Sequence, residues 1–388
     1  MISVNIENLF STILDLHYIR NSLYDHSKLE KSAEYIEKKF QEIGLQCNSQ
    51  SFNIERSDSE FKNVIATYNP GKSKELIISS HYDHIHNSFG ADDNLSGVSV
   101  MLEAARIISK LELDISVKFV CFTLEEEHSG YTKAIRDKQK ELGLTNSEGF
   151  PALNGYKKFF QMLQIEFNSL IRGGNSIANS IEQITNNFSE NLDQNEKNYL
   201  YYLKEIYLEA EKNNYHLNIG LIGSSVYVEA YKSALSKTIG VINLETCGYT
   251  SKEKNSQKII SGIDFSQFPR NSVEDLTIGN FILIIADKYS MELGSTFFEK
   301  TKGILPSVFS GVPFNYEEIK KVAFDLLRSD NSSFWKEHIP ALMITDTANF
   351  RNPYYHTPAD TIEKLDFEFM EKLTTVVVNS VLEYNKTP

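Results

Sequence analysis

Five residues scattered between positions 81 and 356 carry the side chains of a metal site: His81, Asp93, Glu126, Glu245 and His356. Two imidazoles and three carboxylates, brought together, suit zinc or another first-row divalent cation. One tetrahedral catalytic zinc uses three protein ligands and leaves a position open, so five exceed what a single ion needs. They match two cations about 3.5–4 Å apart that share a carboxylate. Glu125, beside Glu126, is then free to act as general base on a metal-bound water. Asp83 follows His81 by two residues and projects to the same side of an extended chain. There it is placed to accept the second N–H of that imidazole. Any one of these residues alone reads more simply as part of a polar surface loop.

A sheet is what would gather them. Short bounded apolar runs at 76–78, 117–124, 239–244 and 339–347 read as buried strands. The first emits His81 and Asp83, the second Glu125 and Glu126, the third Glu245. The fourth ends near Asp346, ahead of a loop that carries His356. Between the first two lies "VSVMLEAARIISKL", with the spacing of an amphipathic helix. Strand, helix and strand make a parallel βαβ unit. Open sheets of this kind bind ligands beyond the carboxyl ends of their strands. The expected fold class is α/β, a mixed and largely parallel central sheet sandwiched by helices. Smaller expectations are a helix over 29–45 stopped by Gly44, strands over 47–54 and 63–68, and a helix over 281–291. A loop over 303–318 and a closing helix over 367–384 complete the pattern.

The texture changes between Thr132 and Asn218. "YKKFFQMLQIEFNSLI" and "NYLYYLKEIYLEAEK" have helical periodicity inside a stretch rich in Lys, Glu, Asn and Gln. The expected division is a catalytic domain of 1–131 and 219–388, interrupted by a helical insertion at 132–218 that is either a lid or an interaction arm.

Composition excludes some classes. A net charge of −13 over 388 residues argues against a nucleic-acid partner. The three cysteines, Cys47, Cys121 and Cys247, fit neither a zinc knuckle nor a disulfide framework. The first residues lack a secretory pattern, and no run reaches the roughly 18 apolar residues of a membrane span. The expectation is a cytoplasmic protein with no membrane partner; homo-oligomerisation is left open. His84, His86 and His128 read as loop residues, and His17, His26, His216 and His338 as packing or surface groups. Arg351 reads as a clamp for the loop of His356 rather than a substrate contact.

The ordered set "HYD", "ADDN-SG", "EEE", "NLE--GY", "RSD--FW", "IPAL" and "YYHTPADT" resembles the co-catalytic zinc peptidase family. That family includes bacterial aminopeptidases, glutamate carboxypeptidase and glutaminyl cyclases. The resemblance covers most of the chain outside 132–218, a stretch that is extra relative to the family. It implies the zinc exopeptidase fold and two zinc ions, with Asp93 bridging. His81 and Glu245 would hold one ion, Glu126 and His356 the other, with Glu125 as base. It also implies a cis peptide between Asp93 and Asn94. The implied substrate is a peptide and the implied activity an aminopeptidase. A carboxypeptidase, an amide deacylase, a glutaminyl cyclase or a metal-free relative are the alternatives. Two departures stand out: Glu245 where many members carry Asp, and Asn331 where the family has histidine.

Overall fold

Runs of β-branched residues set the frame. In the computed structural model ten strands among the described residues form one sheet: β1 (Gln46–Cys47), β2 (Gln50–Asn53), β3 (Glu60–Tyr68), β4 (Glu75–His81), β5 (Ser116–Phe122), β6 (Thr238–Glu245), β7 (Arg270–Asn271), β8 (Ile282–Ala286), β9 (Ser307–Gly311) and β10 (Ala341–Thr345). The structure describes residues 3–386 except 87, 128, 147–149, 189, 213–219 and 261–262. His128, His216 and the expected boundary after residue 218 lie outside the described residues.

Across the sheet the order is β1-β3-β5-β4-β6-β10-β8-β9-β7, with β2 paired to β3. The four central strands, β5, β4, β6 and β10, are mutually parallel. Their registers bring the carboxyl ends level, with His81 opposite Phe122 and Thr345 opposite Glu245. Antiparallel pairings of β3 with β5 and of β8 with β10 flank this centre. The α/β class with a large mixed sheet is therefore the observed one.

Helices cover both faces, because central strands have apolar residues on each side. In chain order they are α1 (Ile6–Leu16), α2 (Ser22–Glu42), α3 (Gly97–Ile108), α4 (Ser129–Glu141), α5 (Asn154–Arg172), α6 (Ile177–Phe188), α7 (Gln194–Lys212), α8 (Ile222–Tyr231), α9 (Met291–Thr301), α10 (Tyr316–Val322), α11 (Asn331–Lys336) and α12 (Phe367–Tyr384). Leu76, Ile78, Phe119 and Ile344 pack with α1, α2, α3, α9 and α12 on one face. Ile77, Val120, Val241 and Met343 pack with α8, α10 and α11 on the other. The helices α5, α6 and α7 gather a separate apolar cluster around Phe159, Ile181, Ile184, Tyr199 and Leu203. Among the described residues no helix is long and apolar enough to cross a membrane.

Two local expectations fail for one reason. The run at 281–291 starts as a strand, β8, and only then becomes a helix, α9. The stretch at 303–318 contains β9, which pairs in parallel with β8. A fully buried apolar run has no polar face, so its period does not separate strand from helix. The helix α3 shows the same effect: all its residues except Arg106 are buried, so its exposed stripe is missing.

The start of α3 lies unusually close to the sheet. A Cβ at Gly97 would come within 2.5 Å of Asn94 Oδ1, 2.7 Å of Ser80 Oγ and 2.8 Å of the Leu244 carbonyl. Gly97→Ala is expected to cost about 1–3 kcal/mol through overpacking. A lowered urea midpoint with an unchanged slope is the result to look for; an unchanged midpoint refutes this packing account.

Candidate metal centre

The candidate side chains sit at strand ends or in the loops that follow them. His81 is the last residue of β4 and Glu245 the last of β6. Glu125 and Glu126 follow β5 directly, after Leu124 turns the chain at φ 53°. His356 itself has φ 59°, in the loop after β10. Asp93 lies between β4 and α3, and the Asp93–Asn94 peptide is cis.

These ends converge as two groups. Donor atoms of His81, Glu125 and Glu245 lie within 4.8 Å of one another, as do those of Asp93, Glu126 and His356. Asp93 joins them. Its Oδ1 is 3.3 Å from His81 Nε2 and its Oδ2 is 3.1 Å from His356 Nε2. Glu245 Oε2 is 3.5 Å from His81 Nε2, and Glu126 Oε2 is 3.1 Å from His356 Nε2. Both oxygens of Asp93, both imidazole Nε2 atoms and Glu126 Oε1 are buried without a hydrogen-bond partner. Buried polar atoms are rarely left so. Orphaned acceptors turned toward one small space are a donor set that could hold divalent metal.

Around this set a second ring of groups fixes the positions. Asp83 accepts the Glu125 amide on Oδ1 at 3.1 Å and the Glu126 amide on Oδ2 at 3.2 Å. Its carboxylate is 3.5 Å from His81 Nδ1, while its own carbonyl is nearer at 3.2 Å. So Asp83 holds the glutamate turn as well as facing the imidazole. Asp360 accepts the amides of Asp92 and Asp93 at 2.9 and 3.2 Å. Asn94 spans to the end of β6, donating to the Leu244 carbonyl and accepting the Thr246 amide. Ser329 donates to Glu245 Oε2 at 2.7 Å and accepts from Asn243, which in turn accepts from Ser79.

The other residues singled out in the sequence fall as follows. Arg351 is buried, donates to Gln257 Oε1 at 2.9 Å and lies over the Phe281 ring, so it clamps its loop. Asn331 is buried, with Nδ2 3.4 Å from the Leu326 carbonyl. His86 lies beside Glu127 at 3.5 Å. His84 is not a solvated loop residue: it is fully buried and accepts the Arg20 amide on Nε2 at 2.8 Å. Burial, with Arg20 beside it, pushes its pKa down to about 3. Tyr355 and Arg20 went unnoticed in the sequence. The Tyr355 ring stacks on His356 with centroids 3.8 Å apart, and the adjacency "YYH" was its only signal. Arg20 sits in an N-terminal stretch with no motif at all.

The family match accords with this geometry. The model of peptidase family M28 matches residues 63–381. The chain belongs to that family. An uncharacterized protein of Escherichia coli K12, YfbL, is 24% identical over 367 residues, covering 92% of this chain and 80% of that one. In fold the chain is similar to a zinc aminopeptidase from Bacillus subtilis, with a TM-score of 0.57 at 15% identity over 99% of this chain and 96% of the other. It is also similar to a glutaminyl cyclase from Porphyromonas gingivalis, with a TM-score of 0.54 at 13% identity over 98% and 99%. Family M28 membership makes the chain a peptide hydrolase.

Charge crowding sets the protonation of the centre. Burial opposes a charge on His356, but Glu126 and Asp93 outweigh it and raise its pKa to about 10. His81 is raised in the same way, against burial, by Glu125 and Glu245. Burial, with Asp93 nearby, lifts Glu126 to about 7. Burial opposes ionisation of Asp93 too, yet the two imidazoles hold it well below the usual carboxylate range. The metal-free centre thus holds protons at neutral pH, and ligation requires neutral imidazole and ionised carboxylate. Zinc uptake near pH 7 is expected to release protons, with affinity rising from pH 6 to pH 8. Calorimetry in buffers of different ionisation enthalpy reads the count; uptake with no proton release refutes this charge assignment. For the metal-free fold the sign is opposite. A raised histidine pKa stabilises fully below its ordinary 6.5, and that contribution is lost as pH climbs through about 10.

Proposed function

We propose that this protein is a zinc-dependent aminopeptidase, with His81, Asp93, Glu126, Glu245 and His356 as ligands of two ions. The observation that carries the reading is Asp93, whose two otherwise unpartnered oxygens face the two imidazoles at 3.3 and 3.1 Å. When bound, such a pair of cations supplies Lewis acidity and draws the pKa of a water toward neutrality. Glu125 is the base. Burial, together with Glu245 and Glu126, raises its pKa well above the ordinary value, which suits a group that takes a proton and returns it to the leaving amine. Asp83 is its positioning partner, since it fixes the Glu125 and Glu126 amides together.

Beyond Glu245 lies a pocket of about 430 Å³, counted with its open mouth and walled by Ile260, Ile285, Met343 and Phe350. We assign it to the side chain of the first residue. Arg328 and Tyr355 stand at its polar end, where Arg328 Nη2 donates to the Tyr355 hydroxyl at 3.4 Å. That hydroxyl keeps its own proton available for the developing oxyanion. The surplus of carboxylates suits a free α-amine, which favours an aminopeptidase over a carboxypeptidase, deacylase or cyclase.

Hydrolysis of aminoacyl-arylamides, abolished by chelator and restored by zinc, is the expected result. Glu125→Gln should lose about 10²–10⁴-fold in kcat with its zinc content intact. Full activity in that variant overturns the assignment of the base. Equal cleavage of N-acetylated peptides overturns the aminopeptidase reading and favours the other exopeptidase or deacylase readings.

The helices within 132–218 we assign to an arm at the rim of the site. Both of its ends approach the Glu125 turn: α4 begins shortly after Glu127, and the Leu221 amide donates to the Glu125 carbonyl at 2.7 Å. Its base is pinned by Arg56 to Glu209 at 2.6 Å and by Arg136 to the Tyr24 hydroxyl at 2.7 Å. Replacing 133–217 by a short linker is expected to raise the rate on long peptides relative to dipeptides. An unchanged ratio removes the gating role and leaves a contact arm.

A further inference from the structure

The geometry points to Arg20 as a positioning residue for the metal centre. It staples both ends of the loop 82–90, and through them Asp83 and Asp93, into the arrangement that receives the cations. The inference rests on the ligand assignment proposed above and concerns a residue outside the stretch matched by the family model, residues 63–381.

Arg20 is fully buried. A buried guanidinium is ordinarily matched to a carboxylate, with its planar fork used bidentately. Here the fork is spent on backbone carbonyls. Nε donates to Tyr82 at 2.7 Å, Nη1 to Phe89 at 2.6 Å and Nη2 to Gly90 at 2.7 Å. Tyr82 lies between His81 and Asp83, and Gly90 three residues before Asp93. One side chain therefore fixes the loop where it leaves β4 and where it arrives at the bridging carboxylate. Further bonds to Leu16 and Tyr18, at 3.4 and 3.5 Å, tie the same group to the end of α1 and the chain just after it.

Neighbouring bonds act in the same direction. The Arg20 amide donates to His84 within the loop, and Asn21 Nδ2 donates to the His84 carbonyl at 2.6 Å and to Glu127 Oε1 at 2.9 Å. The loop is shaped to the guanidinium. Gly90 has φ 57°, and a Cβ there would lie 2.8 Å from Arg20 Nη2 and 2.2 Å from the Asp93 carbonyl. The charge matters as well. Burial pulls the Arg20 pKa down to about 10, still cationic at neutral pH, with Asp360, Asp83 and Asp93 holding it up. A fixed internal cation thus faces the carboxylates and offsets part of their repulsion before any metal arrives.

Lysine keeps the charge at this position but lacks the fork, and glutamine lacks the charge. The test compares Arg20→Lys, Arg20→Gln and the unaltered protein. Zinc affinity is read by competition with a chromophoric chelator, and the zinc-free fold by thermal melting. Arg20→Lys is expected to melt cooperatively yet bind zinc at least about ten-fold more weakly, the loss typical of groups that orient ligands. Arg20→Gln loses the fork too, but also a cation that repels incoming zinc, so its loss should be no greater than that of Arg20→Lys. Zinc affinity equal to that of the unaltered protein, whatever the fall in melting temperature, overturns the inference and leaves Arg20 a stabilising residue only. If neither variant folds, amide exchange in the zinc-free unaltered protein decides. Protection across 82–93 supports a loop set in advance, and rapid exchange there overturns it. An unaltered protein that binds no zinc overturns the ligand assignment instead, a separate result.

Discussion

Four carboxylates crowd two imidazoles in a space closed to most water, and the rest of the molecule is arranged around that repulsion. Asp93, Glu125 and Glu245 are buried, and Glu126 stands beside them just beyond the carboxyl end of β5. Buried like charges cannot all stay ionised without compensation. In the metal-free centre protons on the histidines supply it, which is why burial fails to suppress the charge on His81 and His356. Divalent cations would supply it more fully, since each orphaned oxygen would gain a partner. The strain of assembling the anions becomes the affinity for metal.

Holding such a set together requires partners that are neither ligands nor solvent. Asp83 and Asp360 accept pairs of successive backbone amides, which turns two loops into fixed platforms. Asn94 bridges to the end of β6, and a chain of hydroxyls and amides from Ser79 through Asn243 and Ser329 reaches Glu245. Arg20 closes the ring from the N-terminal side. The same logic accounts for His84, a neutral acceptor locked in place rather than a spare ligand.

Much of the candidate centre was legible in the chain because His81, Glu126 and Glu245 stand at or just past the ends of apolar runs. Parallel strands put like ends on one edge, so four runs ending in acid or histidine imply convergence without any contact being known. The ordered motifs sharpened that reading to a family. Legibility stopped where a local pattern has two meanings. The apolar parts of 281–291 and 303–318, residues 282–286 and 307–310, are buried on both sides, and only their pairing as β8 and β9 settles their state. Arg20 and Tyr355 act through partners distant in sequence or through ring stacking, and neither leaves a periodic trace. Cys121 and Cys247, inside apolar runs, are buried and free.

From the chain alone came the α/β class and the candidate residues of a metal centre, in their order. These follow from local rules: burial selects apolar runs, and coordination chemistry selects histidine and carboxylate. The tertiary structure alone decided that Asp93 faces both imidazoles, and that Asp83 takes the two glutamate amides. It also decided that a lone guanidinium from the N-terminal segment closes the loop between them. Such matters depend on distances of a few ångströms between elements brought together only by packing both faces of the sheet, and no spacing along the chain encodes them.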